Sequence, residues 1–179
     1  MYAFSLENFK RPQEEQDFLF DTIVNQGQKN IPYLQKHDVQ VKFVGDRSVF
    51  PQRVIPTCEL VERETEQCSS IFVNLLFCYG GRQEIVSGVK NLLKQVRDGV
   101  LTEDAITEQA LQDCLWTART PDPELIIRTS GVQRLSNFLL FQSAYSEFCF
   151  LDCLWPEITE KDLATAVDSY TGVRRNFGL

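Results

Sequence analysis

The chain has 179 residues, of which 43% are hydrophobic and 24% are charged, so it is long enough to bury a core as one globular domain. Its formal net charge is −7, which argues against a nucleic-acid partner, because proteins that bind nucleic acids normally present a basic face. No apolar run reaches the roughly 18 residues of a membrane span, and six cysteines without a recognisable secretory signal predict free thiols in a reducing cytoplasm.

The spacing of apolar residues predicts strands that alternate with helices along the chain. Strands are expected at 1–4, 39–44, 71–77, 125–128 and 148–151, and helices at 13–37, 53–67, 84–97, 107–116, 137–145 and 159–170. The strand at 71–77 is almost entirely apolar, as in a parallel strand covered on both faces. The sequence therefore predicts an α/β fold with a mostly parallel central sheet flanked by helices, in a single domain over residues 1–179.

The segment 128–137 is the most informative polar stretch, because it follows a predicted strand and leads into a predicted helix. It carries Arg128, Arg134, Ser136 and Asn137. A helix N-terminus suits an anion, and guanidinium groups match phosphate oxygens. The same composition also suits an ordinary turn without a ligand. The residues alone leave a diphosphate site and a simple turn about equally open.

Two further polar segments follow predicted strands. Residues 5–11 come after the first strand, and Gly80, Gly81 and Arg82 come after the strand at 71–77. The carboxyl ends of parallel strands are where ligands bind in such sheets, and paired glycines let a backbone approach a ligand closely. Three loops at one rim, each with an arginine, favour an anion site more than any one of them does.

Four segments together resemble the cis-prenyltransferase family, of the undecaprenyl diphosphate synthase type. They occur in the order and spacing of that family and cover essentially the whole chain, at Tyr2–Pro12, Tyr79–Ile85, Ile127–Leu140 and Ala144–Pro156. The resemblance implies an isoprenyl transferase that adds isopentenyl diphosphate units, with cis geometry, to an allylic prenyl diphosphate. It also implies an α/β fold of the cis-prenyltransferase type.

The resemblance also implies roles for individual residues. Asn8 corresponds to the catalytic residue that assists proton removal. The residues that correspond to the isopentenyl diphosphate site are Arg128, Arg134, Leu135 and Ser136. Gly80, Gly81 and Arg82 correspond to residues near the active site. The residues on either side of Asn8 correspond to the wall near the allylic substrate. They are Ser5, Leu6, Glu7, Phe9 and Arg11. The apolar faces of the first helix and of the strand at 71–77 would line a tunnel for the growing chain.

The resemblance implies Mg²⁺ as the cofactor, with Glu147 as a ligand, since Mg²⁺ commonly uses one or two carboxylates plus phosphate oxygens. It further implies a homodimer in the cytoplasm that makes a lipid carrier for cell-wall synthesis, in peripheral contact with the membrane through its lipid product. These expectations come from the family and not from composition or spacing.

The sequence departs from the family pattern at several points. An Asp-Gly-Asn segment that precedes the first matching strand in the family has no counterpart here. Cys78 stands where asparagine is usual, Val132 and Gln133 replace a glutamate-containing pair, and Asn176 stands where arginine is common. Two interpretations follow: an N-terminally incomplete copy of an active synthase, or a short non-catalytic paralogue that binds diphosphate or a catalytic partner subunit. An isolated chain of the first kind is expected to fold poorly or to aggregate.

Overall fold

The computed structural model describes residues 1–172 and shows an α/β fold in which every strand pair is parallel, as predicted. The strands, in chain order, are β1 (Tyr2–Ser5), β2 (Val39–Val44), β3 (Ile71–Tyr79), β4 (Leu125–Arg128) and β5 (Glu147–Phe150). The helices are α1 (Gln13–Lys36), α2 (Ile55–Glu64), α3 (Gly81–Arg97), α4 (Glu108–Gln112) and α5 (Glu160–Thr171).

The described strands form two sheets. One has three strands in the order β1-β3-β2, and the other has β4 paired with β5. The chain divides into two compact units, residues 1–118 and 119–179, and each sheet belongs to one of them. The structure therefore confirms that the predicted strands pair in parallel. The single domain stays a prediction.

The core of the first unit lies between the sheet β1-β3-β2 and the helices α1 and α2. Phenylalanine rings fill much of it, and the ring centroids of Phe4, Phe20 and Phe77 lie 5.0 to 6.0 Å apart. All three side chains are buried, and each large buried ring contributes on the order of 2–3 kcal/mol by leaving water. The apolar faces of α1 and β3 meet here, which explains why both segments were apolar in sequence.

Side chains from α2 close the outer edge of β2. The backbone N–H of Val41 donates to Thr65 Oγ1 at 3.1 Å, and that of Phe43 donates to Glu62 Oε1 at 2.7 Å. Unpaired N–H groups on an edge strand would otherwise recruit other chains. The first unit therefore satisfies this edge internally.

Several predicted helix boundaries differ from the structure. The helix expected at 53–67 covers only Ile55–Glu64, and the one expected at 107–116 covers only Glu108–Gln112 with Thr107 as its N-cap. The helix expected from Glu84 begins earlier, at Gly81, because Gly80 takes the N-cap position. In contrast, the last helix begins as predicted, with Thr159 and Asp162 forming a capping box.

The helix predicted at 137–145 is wrong. Residues 136–145 form turns and bends instead. Ser136, Asn137 and Leu139 have φ values of +50°, +65° and +41°, which lie in the left-handed region and cannot continue a right-handed α-helix. The apolar residues here have helical spacing, but the backbone at these three positions prevents the helix.

The cysteines are free thiols, of which Cys58, Cys78 and Cys114 are buried and the other three are partly exposed. Burial raises the pKa of both the Cys58 and Cys78 thiols to about 12. No helix within residues 1–172 combines the length and the hydropathy needed to cross a lipid bilayer. The Asn176 departure lies outside the described residues.

Candidate functional site

The segment after β1 is a compact turn closed by reciprocal hydrogen bonds. Ser5 precedes a 3₁₀ helix over Leu6–Lys10, and its Oγ accepts from the Asn8 backbone N–H at 3.2 Å. In return the Ser5 N–H donates to Asn8 Oδ1 at 2.9 Å. The amide oxygen of Asn8 is therefore held in place by the backbone that precedes it.

The rest of this segment anchors the turn to the unit. Leu6 packs against the core, and the Phe9 ring meets the Phe4 ring edge-on at 5.0 Å. Gln16, a buried side chain at the start of α1, donates to the carbonyl groups of Phe9 and Arg11 at 3.1 and 2.8 Å. Arg11 and Glu7 are exposed. The structure thus brings the predicted residues 5–11 together on one rigid turn.

The Gly80–Arg82 segment lies beside that turn. Ser5 is the register partner of Tyr79 in the parallel pair β1-β3, so both segments leave the same edge of the sheet. Gly80 and Gly81 are buried at the start of α3, whereas Arg82 is exposed. Two of the three predicted loops therefore meet at one rim, inside the first unit.

A cavity of about 440 Å³ opens beside Arg82. Its lining is mostly polar and comes largely from one side of α3, with Asp46 from the loop after β2 and the Trp116 ring. The α3 residues are Arg82, Gln83, Val86, Ser87 and Lys90. The backbone N–H of Asp46 donates to the Cys78 carbonyl at 3.2 Å. This bond fixes the end of β2 against the end of β3.

A buried carboxylate fastens the start of α3. Glu84 is fully buried, and its Oε1 accepts from the backbone N–H and the hydroxyl of Thr117 at 3.0 and 2.8 Å. Its Oε2 accepts from the Tyr79 hydroxyl. These three hydrogen bonds satisfy side-chain oxygens that would otherwise be buried without partners. The carboxylate therefore links the end of β3, the first turn of α3 and the chain after α4.

In the second unit, the Arg128–Gly131 segment continues alongside β5 beyond the last paired residues. The Leu151 N–H donates to the Arg128 carbonyl at 2.8 Å, and the Ser130 N–H donates to the Cys153 carbonyl at 2.8 Å. Gly131 has φ of +65°, and a Cβ there would lie 3.1 Å from Asp152 Oδ1. Glycine is the residue that permits this turn.

Two guanidinium groups converge on one hydroxyl in this segment. Arg128 Nη1 donates to Ser136 Oγ at 3.0 Å, and Arg134 Nε donates to the same oxygen at 3.3 Å. Arg128 also donates to the backbone carbonyl of Arg134. Leu135, between Arg134 and Ser136 in sequence, is partly buried. The structure thus brings Arg128, Arg134 and Ser136 together on an accessible surface, without the helix N-terminus that the sequence predicted.

Comparison with known proteins identifies the family to which this geometry belongs. Residues 1–178 match the family described as putative undecaprenyl diphosphate synthase. An isoprenyl transferase of Thermotoga maritima is 41% identical over 177 residues, which are 99% of this chain and 75% of that protein. The chain belongs to the undecaprenyl diphosphate synthase family.

Two other members of this cis-prenyltransferase family are also similar to the chain over nearly its whole length. An undecaprenyl diphosphate synthase of Thermoplasma acidophilum, specific for geranylgeranyl diphosphate, is 42% identical over 99% of this chain and 69% of its own. The crystal structure of lavandulyl diphosphate synthase from Lavandula x intermedia, in complex with dimethylallyl diphosphate, superposes with a TM-score of 0.95 at 34% identity. It is matched over 99% of this chain and 77% of its own.

Glu147, the magnesium ligand that the cis-prenyltransferase resemblance implies, does not lie with the arginine pair. It is the first residue of β5 and pairs with Leu125, whereas Arg128 pairs with Phe150 at the other end of the same two strands. Three residues of strand correspond to roughly 10 Å. Within residues 1–172, no group of three histidine, cysteine or acidic side chains could hold a metal ion. The described residues therefore do not fit a metal site held by protein ligands alone.

Sequence reasoning missed three polar residues that shape the rim in this member of the family. Tyr2, Glu84 and Thr117 hold the two segments of the first unit, yet each stands in a pattern that predicts an ordinary strand or helix residue. Glu84 in particular resembles a solvent-exposed charge in the first turn of an amphipathic helix. Only the closeness of Thr117, 33 residues away in sequence, shows that its carboxylate is buried.

Proposed function

We propose that this chain carries the isoprenyl-transfer site of its family, in which isopentenyl diphosphate extends an allylic prenyl diphosphate to a cis-polyprenyl diphosphate. The observation that carries the proposal is the convergence of Arg128 and Arg134 on Ser136 Oγ. Two positive groups held this close are stabilised by an anion between them, and their planar donors match diphosphate oxygens. Membership of a family of isoprenyl transferases supports the same conclusion.

Each part of the site has a proposed task. Arg128, Arg134, Leu135 and Ser136 bind isopentenyl diphosphate. Asn8, whose amide oxygen is already fixed by the Ser5 N–H, assists loss of the proton after the new carbon–carbon bond forms. The allylic diphosphate lies against Ser5, Leu6, Glu7, Phe9 and Arg11, near Gly80, Gly81 and Arg82. Breaking the allylic carbon–oxygen bond releases diphosphate, so positive groups at that position lower the barrier.

We keep Mg²⁺ in the proposal as the ion that neutralises the substrate diphosphates, with phosphate oxygens as most of its ligands. No step is derived through the ion, because the described residues offer no protein-held metal site. Glu147, the first residue of β5, remains a proposed ligand of the ion. The homodimer, the cytoplasmic location and peripheral membrane contact through the product are likewise proposed from the family.

Binding of isopentenyl diphosphate to Arg134→Gln tests the assignment. Charged hydrogen bonds contribute about 1.5–3 kcal/mol, so calorimetric titration should show affinity at least roughly ten-fold below that of the unaltered chain. Arg97→Gln is the matched control, since that arginine lies at the end of α3 with its side chain 76% exposed. Equal affinity for Arg134→Gln and Arg97→Gln would remove the arginine pair from the proposed site.

A further inference from the structure

Strand β1 and one side-chain hydrogen bond join the Asn8 turn to the end of β3. The Asn8 N–H donates to Ser5 Oγ at 3.2 Å, and Ser5 is the last residue of β1, the strand that begins at Tyr2. The Tyr2 hydroxyl in turn donates to the Tyr79 carbonyl oxygen at 3.3 Å. Tyr79 is the residue directly before Gly80. The phenol therefore links the two segments that meet at the rim of the first unit.

Tyr2 is well suited to hold this link. Its ring meets the Tyr79 ring edge-on, with centroids 5.9 Å apart and planes at 84°, a favourable aromatic geometry. Burial, followed by the charge of Glu7, raises the pKa of the phenol to about 12. The hydroxyl therefore keeps its proton, and stays a donor, throughout the neutral range.

The pairing of β1 with β3 is irregular just before the two segments. The register of β1 against β3 is irregular between Tyr2 and Phe4, and again between Phe4 and Ser5. The reciprocal bonds of Ser5 and Asn8 determine the shape of the turn but not its distance from β3. The Tyr2 hydroxyl on the Tyr79 carbonyl adds a side-chain constraint to the Ser5–Tyr79 backbone pair.

We infer that Tyr2 is a positioning residue that holds Asn8 and the Gly80–Arg82 segment at a fixed separation for the transfer reaction. The inference rests on the proposed function, which assigns Asn8 to proton removal. In this role Tyr2 acts through its own strand β1 on one side and through the Tyr79 carbonyl on the other. No covalent or proton-transfer step is attributed to the phenol.

Tyr2→Phe removes the hydroxyl and keeps the ring, so it isolates the hydrogen bonds from the aromatic contact. Amide hydrogen exchange should become about three- to ten-fold faster at Asn8 and in the Gly80–Arg82 segment, as expected for loss of one net hydrogen bond. Amides in the middle of α1 should keep their exchange rates. Tyr33→Phe, an exposed tyrosine on α1, is the matched control and should change neither segment.

Turnover supplies the second readout, measured with isopentenyl diphosphate and dimethylallyl diphosphate and corrected for the folded fraction. Tyr2→Phe should lower kcat by about three- to ten-fold and leave the KM for isopentenyl diphosphate within two-fold of the unaltered value, because the arginine pair is unchanged. A purely structural defect would instead disappear after the correction for folded protein.

Three outcomes would overturn the inference while leaving the proposed function intact: unchanged exchange in both segments, equally faster exchange in all amides including α1, or unchanged corrected kcat. Absence of transfer by the unaltered chain would overturn the proposed function, and with it the assignment of Tyr2 to that reaction. The exchange measurement distinguishes these cases, since it reads the Tyr2 link without any substrate.

Discussion

The arginine pair places two positive groups on one hydroxyl oxygen, an arrangement that neither residue supplies alone. Two guanidinium groups on one hydroxyl oxygen repel each other, by about 1 kcal/mol or more at these separations even in water. An anion bound between the two guanidinium groups would attract both, and this attraction would outweigh their mutual repulsion. Arg128 was predictable because it ends an apolar strand. The family resemblance placed Arg128, Arg134 and Ser136 in one site. The sequence pattern does not indicate how the two arginines converge on Ser136, because that geometry depends on the left-handed backbone at Ser136.

Asp38 is a second residue whose charge has a structural consequence. It lies between α1 and β2, and hydrogen bonds from the Ser70 hydroxyl and then the Ser69 backbone hold the pKa of its carboxyl below the usual range. A carboxyl whose pKa is lower in the folded chain stabilises it fully above the unfolded pKa of about 3.9. That contribution is lost as the pH falls through the folded-state pKa.

Asp38→Asn should therefore lower the free energy of unfolding most at neutral pH, and the difference from the unaltered chain should shrink from roughly pH 5 downward. Urea unfolding followed by circular dichroism at several pH values measures it. Asp104→Asn, at an exposed position in the 3₁₀ helix Glu103–Ala105, is the matched control. A difference for Asp38→Asn that stays constant down to pH 2.5 would contradict this explanation.

At the scale of elements, the sequence predicts a strand or a helix boundary correctly where residues close in sequence determine it. The alternation in 39–44 and the Thr159–Asp162 capping box were sufficient for β2 and for the start of α5. The prediction at 137–145 failed because apolar spacing does not reveal three left-handed residues. Likewise, α3 begins about one turn earlier than predicted, with Gly80 as its N-cap. Glu84 stabilises this first turn through its hydrogen bond from Thr117, which is distant in sequence.

The contact between α1 and α2 depends on a glycine. A Cβ at Gly27 would lie 2.7 Å from Thr57 Cγ2, and Thr57 is buried. Gly27→Ala should lower the free energy of unfolding by about 1–3 kcal/mol through overpacking, despite a gain of up to about 1 kcal/mol in helix propensity. Thermal or urea unfolding of the variant measures the balance.

A second substitution tests the cause. Thr57→Ser removes the methyl group in question, so the pair Gly27→Ala with Thr57→Ser should recover much of the stability that Gly27→Ala loses. Gln28→Ala, one residue away on the exposed side of α1, controls for propensity alone. If Gly27→Ala proves as stable as Gln28→Ala, the close approach of the two helices does not limit this position.

At the scale of the whole molecule, the net charge of −7 coexists with a local cluster of arginines that a diphosphate can use. Screening over about 8 Å at physiological ionic strength separates the cluster from distant acidic groups. Composition therefore excluded a broad basic surface but could not exclude a small anion site. The parallel α/β fold was predictable from apolar spacing that alternates between strand and helix patterns, and the family was predictable from four short segments.

The chain also exposes apolar side chains on several elements, for example Phe72 on β3 and Leu93 on α3, which are 64% and 59% exposed. Exposed apolar surface promotes association, so the expectation that the isolated chain aggregates stays a prediction.

Transfer itself is the most direct test of the central claim. The purified chain is incubated with labelled isopentenyl diphosphate, Mg²⁺ and either dimethylallyl or geranylgeranyl diphosphate, and the label in extractable prenyl product is measured. We expect labelled product from the unaltered chain and from Arg97→Gln, and roughly ten-fold less or lower from Arg134→Gln at limiting isopentenyl diphosphate. Binding of isopentenyl diphosphate without any labelled product would contradict the proposal that this chain carries out transfer.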